Sequence, residues 1–121
     1  MEIILAMGAI LGALTVALGA FGAHALKGKF AEERYEQIFE TGVRYQMYHS
    51  LAILIIGLVM HVVGELPILE VAAYLMLAGI LLFSGSLYAL SVTGIRKLGA
   101  ITPIGGLCFI AGWICLAVGI L

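Results

Sequence analysis

The sequence predicts an all-α integral membrane protein: a four-helix bundle with a short cytoplasmic interfacial helix between its first and second spans. Three observations carry that expectation. Hydrophobic residues make up 64% of the 121 positions and charged residues 11%, against about 45–50% and about 25% in an average soluble domain. A soluble chain this small buries too little of its surface to hide so much apolar area, and the mean hydropathy of +1.20 agrees. Four apolar stretches, near 3–26, 45–63, 68–90 and 103–121, each approach the roughly 20 helical residues that cross a bilayer core of about 30 Å. All six basic residues lie in two of the connections between them. One transmembrane domain, 1–121, accounts for the whole chain.

The first span, 3–26, carries a stripe of small residues: Gly8, Gly12, Thr15, Gly19 and Gly22/Ala23. Ala23-His24-Ala25 imitates a signal-peptide cleavage site, but no Lys or Arg precedes the run and the run is too long for a signal core. It is expected to remain as a mature helix. In the following loop Ala31, Tyr35, Ile38, Phe39 and Gly42 share one helical face, while Glu32, Glu33, Glu36 and Glu40 lie off it. That spacing suits a short helix on the membrane surface. Its net negative charge argues against strong attraction to anionic lipid. Glu40 and Arg44 are spaced and ordered for an i,i+4 pair, which reads equally well as a solvated surface pair.

The second span poses a problem of length. Leu51–Val63 is apolar apart from His61 but has only 13 residues, a rise of about 20 Å. The span must therefore begin near Tyr45, which brings His49 inside the membrane boundary. The alternative is a tilted or half-buried helix with His49 at the headgroups. In the third span Ala72, Gly79 and Ser86 are seven apart. In the fourth, Gly105, Cys108, Gly112, Cys115 and Gly119 recur at spacings of 3, 4, 3 and 4. Membrane helices use such stripes to approach closely, since lipid supplies no hydrophobic drive for association, and a seven-residue repeat favours left-handed packing. Gly8, Gly12, Gly19, Gly79, Gly105, Gly112 and Gly119 are thus candidate helix-packing positions, within one chain or between copies in a homo-oligomer. The two cysteines rise about 10 Å apart along one helix, too far for a disulfide, and read as small packing residues.

Orientation follows from the loops. Lys27, Lys29, Arg34 and Arg44 follow the first span, and Arg96 and Lys97 follow the third. The N-terminus, the Gly64–Pro67 connection and the C-terminus hold no basic residue. Positive loops stay cytoplasmic, which predicts a multipass protein of the plasma (inner) membrane with both termini outside. No basic run of the kind that tracks nucleic acid is present.

With that topology His24, Arg44, Tyr45, Tyr48, His49, Ser84, Tyr88 and Thr102 all fall in the cytoplasmic half. They form either a polar pocket, since membrane-buried polar groups face a bundle interior or a wet cavity, or a belt of residues anchored at the headgroups. His61 is expected at the outer interface, and Trp113 as packing or an outer anchor. In "ITPIGG", Thr102 at the N-cap and Pro103 at N1 would leave the amides of Gly105 and Gly106 uncovered beside Arg96 and Lys97, a candidate anion site. Alternatively the helix begins earlier and Pro103 only kinks it.

The blocks "GAFGAHAL" (19–26), "RYQMYHSLAILIIG" (44–57), "FSGSLYAL" (83–90) and "LGAITPIGGLCFIAGW" (98–113) resemble the domain of unknown function 423 family. This family groups small bacterial multipass membrane proteins and is similar to eukaryotic transmembrane protein 256. The resemblance covers nearly the whole chain and is weakest over Lys27–Glu40. It implies an integral membrane protein of about four helices and no established activity, so it transfers no catalytic residue.

Three functions are weighed. The first is a compact bundle binding a lipid headgroup, a small anionic ligand or a partner at a cytoplasmic-side pocket, with membrane lipids as neighbours. The alternative is a subunit of a small oligomeric transporter or channel. Against it, no acidic residue lies deep in a span, no helix is Arg-rich and no inverted repeat is visible. An enzyme ranks third. His24 and His49 could serve as acid and base, but the chain has no Asp and no Ser or Cys nucleophile with an evident partner. No metal, nucleotide or haem motif is present, so no catalytic, cofactor or metal residue is expected.

Overall fold

The computed structural model describes residues 1–121. It contains helices α1 (Glu2–His24), α2 (Glu33–Val63), α3 (Pro67–Gly79), α4 (Gly85–Thr93) and α5 (Thr102–Ile120). A π-helical turn, Ile80–Ser84, joins α3 to α4 without a break, and a 3-10 turn, Arg96–Ala100, leads into α5. The result is four rods, Glu2–His24, Glu33–Val63, Pro67–Thr93 and Arg96–Ile120, of 23, 31, 27 and 25 residues. If helical throughout they are about 35 to 46 Å long, enough to cross a core of about 30 Å. Pro67 sits in the first turn of α3, where its missing N–H leaves no bond unmade. Gly94 closes α4 at φ 72°, a left-handed conformation that glycine adopts without steric cost.

The second rod differs from expectation. The helix that carries the second span begins at Glu33, so the anticipated interfacial helix is its opening turns rather than a separate element. One face explains the continuity. Tyr35, Phe39, Gly42, Gln46, His49, Ile53, Ile56 and Met60 are all buried, so the helical stripe runs across the polar-to-apolar junction without changing phase. No proline interrupts it.

α2 lies between α1 on one side and α3 and α4 on the other, and α5 runs along α3. The core is built from Ile53, Ile56 and Met60 of α2, Leu69 and Met76 of α3, and Phe109 and Leu116 of α5. Glycines set the closest approaches. A Cβ on Gly8 would stand 2.8 Å from Leu54 and one on Gly19 3.3 Å from Val43. On the other side Gly112 faces Met76 at 3.1 Å, and Gly79 and Gly119 lie against Phe109 and Leu69. Gly105 lies on the backbone of Phe83, where a Cβ would come within 2.8 Å of the Phe83 Cα.

Gly12 is the exception: a Cβ there meets nothing within 4 Å. The buried residues of α1 are Ile4, Gly8, Thr15 and Gly22. From Gly8 onward that is a seven-residue repeat, the left-handed contact line, and it leaves Gly12 on the flank. The opposite face of α1, including Ile3, Ile10 and Val16, is exposed.

Candidate functional site

Several of the polar residues inside the rods are held by partners on neighbouring helices, while Ser50 and Ser91 bond to carbonyls of their own helices. His49, 5% exposed, lies midway along α2. Its Nδ1 is 2.7 Å from the carbonyl of Tyr45, and its Nε2 is 3.2 Å from the indole nitrogen of Trp113 on α5. A carbonyl only accepts and an indole N–H only donates. Nδ1 therefore carries the hydrogen and donates it, Nε2 accepts, and the ring is neutral. It also stacks on Phe109, with ring centroids 3.5 Å apart and planes within 9°. Both nitrogens are occupied, so His49 is a pin between α2 and α5 rather than a free base or ligand. Trp113 belongs to this packing.

A second group ties α2 to α1 and α4. Gln46, 3% exposed, accepts the Tyr88 hydroxyl at 2.6 Å through Oε1 and donates from Nε2 to the carbonyl of Leu11 at 3.3 Å. Thr15 donates to the same carbonyl at 2.7 Å. Ser84 donates to the carbonyl of Gly42 at 2.7 Å, and Gly42 is the residue over which the Tyr88 ring lies. Ser86 and Thr102 share a hydrogen bond of 2.6 Å between α4 and α5. No buried side-chain nitrogen or oxygen is left without a partner, as apolar surroundings require. Gln46 stands outside the candidate set read from the sequence.

The eight candidate pocket residues therefore do not line one cavity. His49, Ser84, Tyr88 and Thr102 are spent in separate inter-helix bonds. His24 is exposed at the end of α1. Tyr45 and Tyr48 are exposed, with Tyr45 stacked on Phe83 at 4.7 Å. Arg44 faces a cleft described below.

The helix start at Thr102 also differs from the anion-site reading. Ile101, not Thr102, is the N-cap, and its side chain has no oxygen with which to cap the helix; the Thr102 hydroxyl is engaged by Ser86. The 3-10 turn feeds directly into α5: the amides of Ile104 and Gly105 both donate to the carbonyl of Ile101, at 3.1 and 3.3 Å. Gly105 is buried on Phe83 and Gly106 is half-buried beside the same ring. Neither presents a bare amide beside Arg96 and Lys97, which are exposed.

Two concavities lie at this end; one, of about 200 Å³, is a shallow hollow lined by Arg34, Tyr35, Ile38, Leu90 and Arg96, and the other is more enclosed. A cavity of about 220 Å³ opens between the last turns of α1 and the first turns of α2. Its floor is apolar, with Gly19, Gly22, Phe39 and Val43, and its rim carries Glu36, Glu40 and Arg44. Gly22 creates the floor: with no side chain of its own, it lets the Phe39 ring lie directly against α1. That ring is held from behind by Tyr88, 5.0 Å between centroids. Arg44 and Glu40 pair at 3.6 Å with both side chains mostly exposed, a contact that contributes at most about 1 kcal/mol. Glu36 takes part in none of the ion pairs of the chain.

Comparison with known proteins assigns the chain to a family without assigning an activity. The family described as "Protein of unknown function (DUF423)" matches residues 18–106. The chain is 48% identical over 118 residues to the UPF0382 membrane protein YwdK of Bacillus subtilis, covering 98% of this chain and 95% of the relative. It is 47% identical over 119 residues to the UPF0382 membrane protein SH2409 of Staphylococcus haemolyticus, covering 98% and 94%. No solved structure matches. The family match takes in the α1–α2 cleft, His49, Gln46 and Tyr88, the two relatives extend it over nearly the whole chain, and the chain belongs to the DUF423 family of membrane proteins.

Proposed function

We propose that the protein is a binding module of the plasma membrane that holds a lipid headgroup in the cleft between α1 and α2. The carrying observation is that one cleft combines an apolar floor at Gly19, Phe39 and Val43 with charged groups at Arg44, Glu40 and Glu36. A phospholipid headgroup offers both kinds of surface, charged groups and the methylenes between them. The volume of about 220 Å³ lies below the roughly 300–1,000 Å³ of sites that enclose whole drug-sized molecules. It suits a headgroup whose chains remain in the bilayer. Arg44 supplies a guanidinium able to make two parallel hydrogen bonds to phosphate. The polar pairs deeper in the bundle leave no side-chain atom free for a guest, which favours the cleft over the interior.

The test is phospholipid retention by the purified protein, read as lipid adducts in native mass spectrometry. Ala23 lines the cleft and is exposed, so Ala23→Trp fills it without entering the core. Ala23→Trp and Arg44→Gln are each expected to cut retention of bound phospholipid about fivefold or more, the scale of one or more lost charge-assisted hydrogen bonds. Adduct levels unchanged in both variants would rule the cleft out.

The orientation belongs to the same reading. With basic residues only in the first and third loops, Lys29 and Lys97 are inside and both termini outside. In a Cys108→Ala/Cys115→Ala background, a cysteine at position 29 is expected to react with an impermeant maleimide only after the membrane is opened. Labelling in intact cells would reverse the topology.

A further inference from the structure

We infer that the guest of the α1–α2 cleft is a zwitterionic aminophospholipid, its phosphate on Arg44 and its primary ammonium between Glu40 and Glu36. This rests on the reading of the cleft as a headgroup site and names the headgroup. Three features of the rim lead to it.

The first is composition. The rim holds one cation and two carboxylates, an excess of negative charge that a purely anionic headgroup does not complement. A headgroup carrying both a phosphate and an amine does. Glu36 has no cation of its own, and Glu40 has only the loose 3.6 Å contact to Arg44, so both carboxylates are open to a guest.

The second is order along the helix axis. α2 enters the bilayer from its Glu33 end, so Arg44 is deepest, Glu40 shallower and Glu36 shallowest. A phospholipid seated with its chains in the membrane presents its groups in the same sequence: acyl chains, then phosphate, then amine. The match does not depend on which side of the membrane this end occupies.

The third is spacing. Arg44 and Glu40 are four residues apart, a rise of about 6 Å. An ethanolamine headgroup separates its phosphate and nitrogen by two methylenes, a span that fits such a pair. Beside them, on the floor of the cleft, Val43 and the Phe39 ring offer apolar surface to the methylenes of the headgroup.

The chemistry also separates the amines. A primary ammonium donates three hydrogen bonds to carboxylates, whereas a quaternary choline nitrogen donates none. Phosphatidylethanolamine is therefore preferred over both phosphatidylcholine and phosphatidylglycerol.

The experiment places the full-length protein in detergent with equal amounts of dioleoyl phosphatidylethanolamine, phosphatidylcholine and phosphatidylglycerol, and counts adducts of each by native mass spectrometry. The wild type is expected to favour the ethanolamine lipid about fivefold, the factor that one surface ion pair of about 1 kcal/mol provides. Glu36→Gln/Glu40→Gln is expected to abolish that preference while keeping total adducts, because Arg44 still holds the phosphate. Arg44→Gln is expected to weaken all three lipids together. Binding that responds to Arg44→Gln but shows no ethanolamine preference overturns this inference and leaves the headgroup site standing. Binding that ignores both Arg44→Gln and Ala23→Trp overturns the two together. The three charged positions are exposed or half-buried, and an unchanged melting temperature confirms that each variant is folded.

Discussion

Replacing Gly105 by leucine is expected to cost about 3 kcal/mol or more, the upper range for overpacking, and to lower the melting temperature in detergent steeply. The neighbour at this glycine is main chain, not a flexible side chain: the Phe83 nitrogen and Cα lie where a Cβ would go. A side chain can swing aside, but this backbone belongs to the π-helical turn, and moving it separates α5 from α3 and α4. Even Gly105→Ala meets the same obstacle. Gly12→Leu is the control. It adds bulk on a flank with nothing within 4 Å, so the stability of the single chain should stay within about 0.5 kcal/mol of wild type, as for surface changes generally. Equal losses in the two variants would show that the glycine stripes do not report helix contacts of this fold.

The second large effect concerns Gln46. Gln46→Leu keeps much of the bulk but leaves the Tyr88 hydroxyl without its acceptor in an apolar setting. A buried polar group left unpaired costs about 1–3 kcal/mol. The Leu11 carbonyl is less affected, because Thr15 still donates to it. Tyr88→Phe removes the hydroxyl and keeps the ring against Phe39 and Gly42. The double variant should therefore be more stable than the two single losses added together, with a coupling of about 0.6 kcal/mol, the average for hydrogen bonds between membrane helices, and at most about 1.7 kcal/mol. A double-mutant cycle measured by reversible unfolding gives this number directly. Strict additivity would mean that the 2.6 Å contact contributes nothing to holding α4 on α2.

The four rods were legible in the sequence because crossing a bilayer is a question of length and polarity, and both are linear properties of a chain. The glycines at 79, 105, 112 and 119 were legible for a related reason: close helix contact leaves a periodic trace. The start of α2 was not. Hydropathy drops before Tyr45, but helix continuity follows the buried face, and Tyr35, Phe39, Gly42 and Gln46 carry that face through the drop. Gln46 was missed although it lies on the same stripe as His49, Ile53 and Met60. That phase was the available signal. The pairing of His49 with Trp113 left no trace, since it depends on how α5 is rotated against α2, and nothing within either segment encodes that angle. The single polar pocket failed for a similar reason. Depth in the membrane placed eight residues at one level, but depth says nothing about which way each helix turns them. The α1–α2 cleft escaped notice because the interfacial segment was read as a separate helix, and only its fusion to α2 sets the Phe39 ring beside Gly22.

The π-helical turn has a consequence for how this chain tolerates insertions and deletions. The Gly85 amide reaches back five residues to the Ile80 carbonyl, so Ile80–Ser84 holds one residue more than an α-turn would use. In regular α-helix a single deletion turns everything beyond it by about 100°. This turn absorbs its extra residue instead, because the Gly85 amide meets the Ile80 carbonyl where the fourth residue of an α-turn would. Removing one residue here lets that bond become an ordinary i→i−4 bond and leaves Tyr88 near Gln46 and Ser86 near Thr102. A one-residue deletion in this turn is therefore expected to cost less than the same deletion elsewhere in the rod, where it would carry the serines and Tyr88 out of phase with Leu69 and Met76.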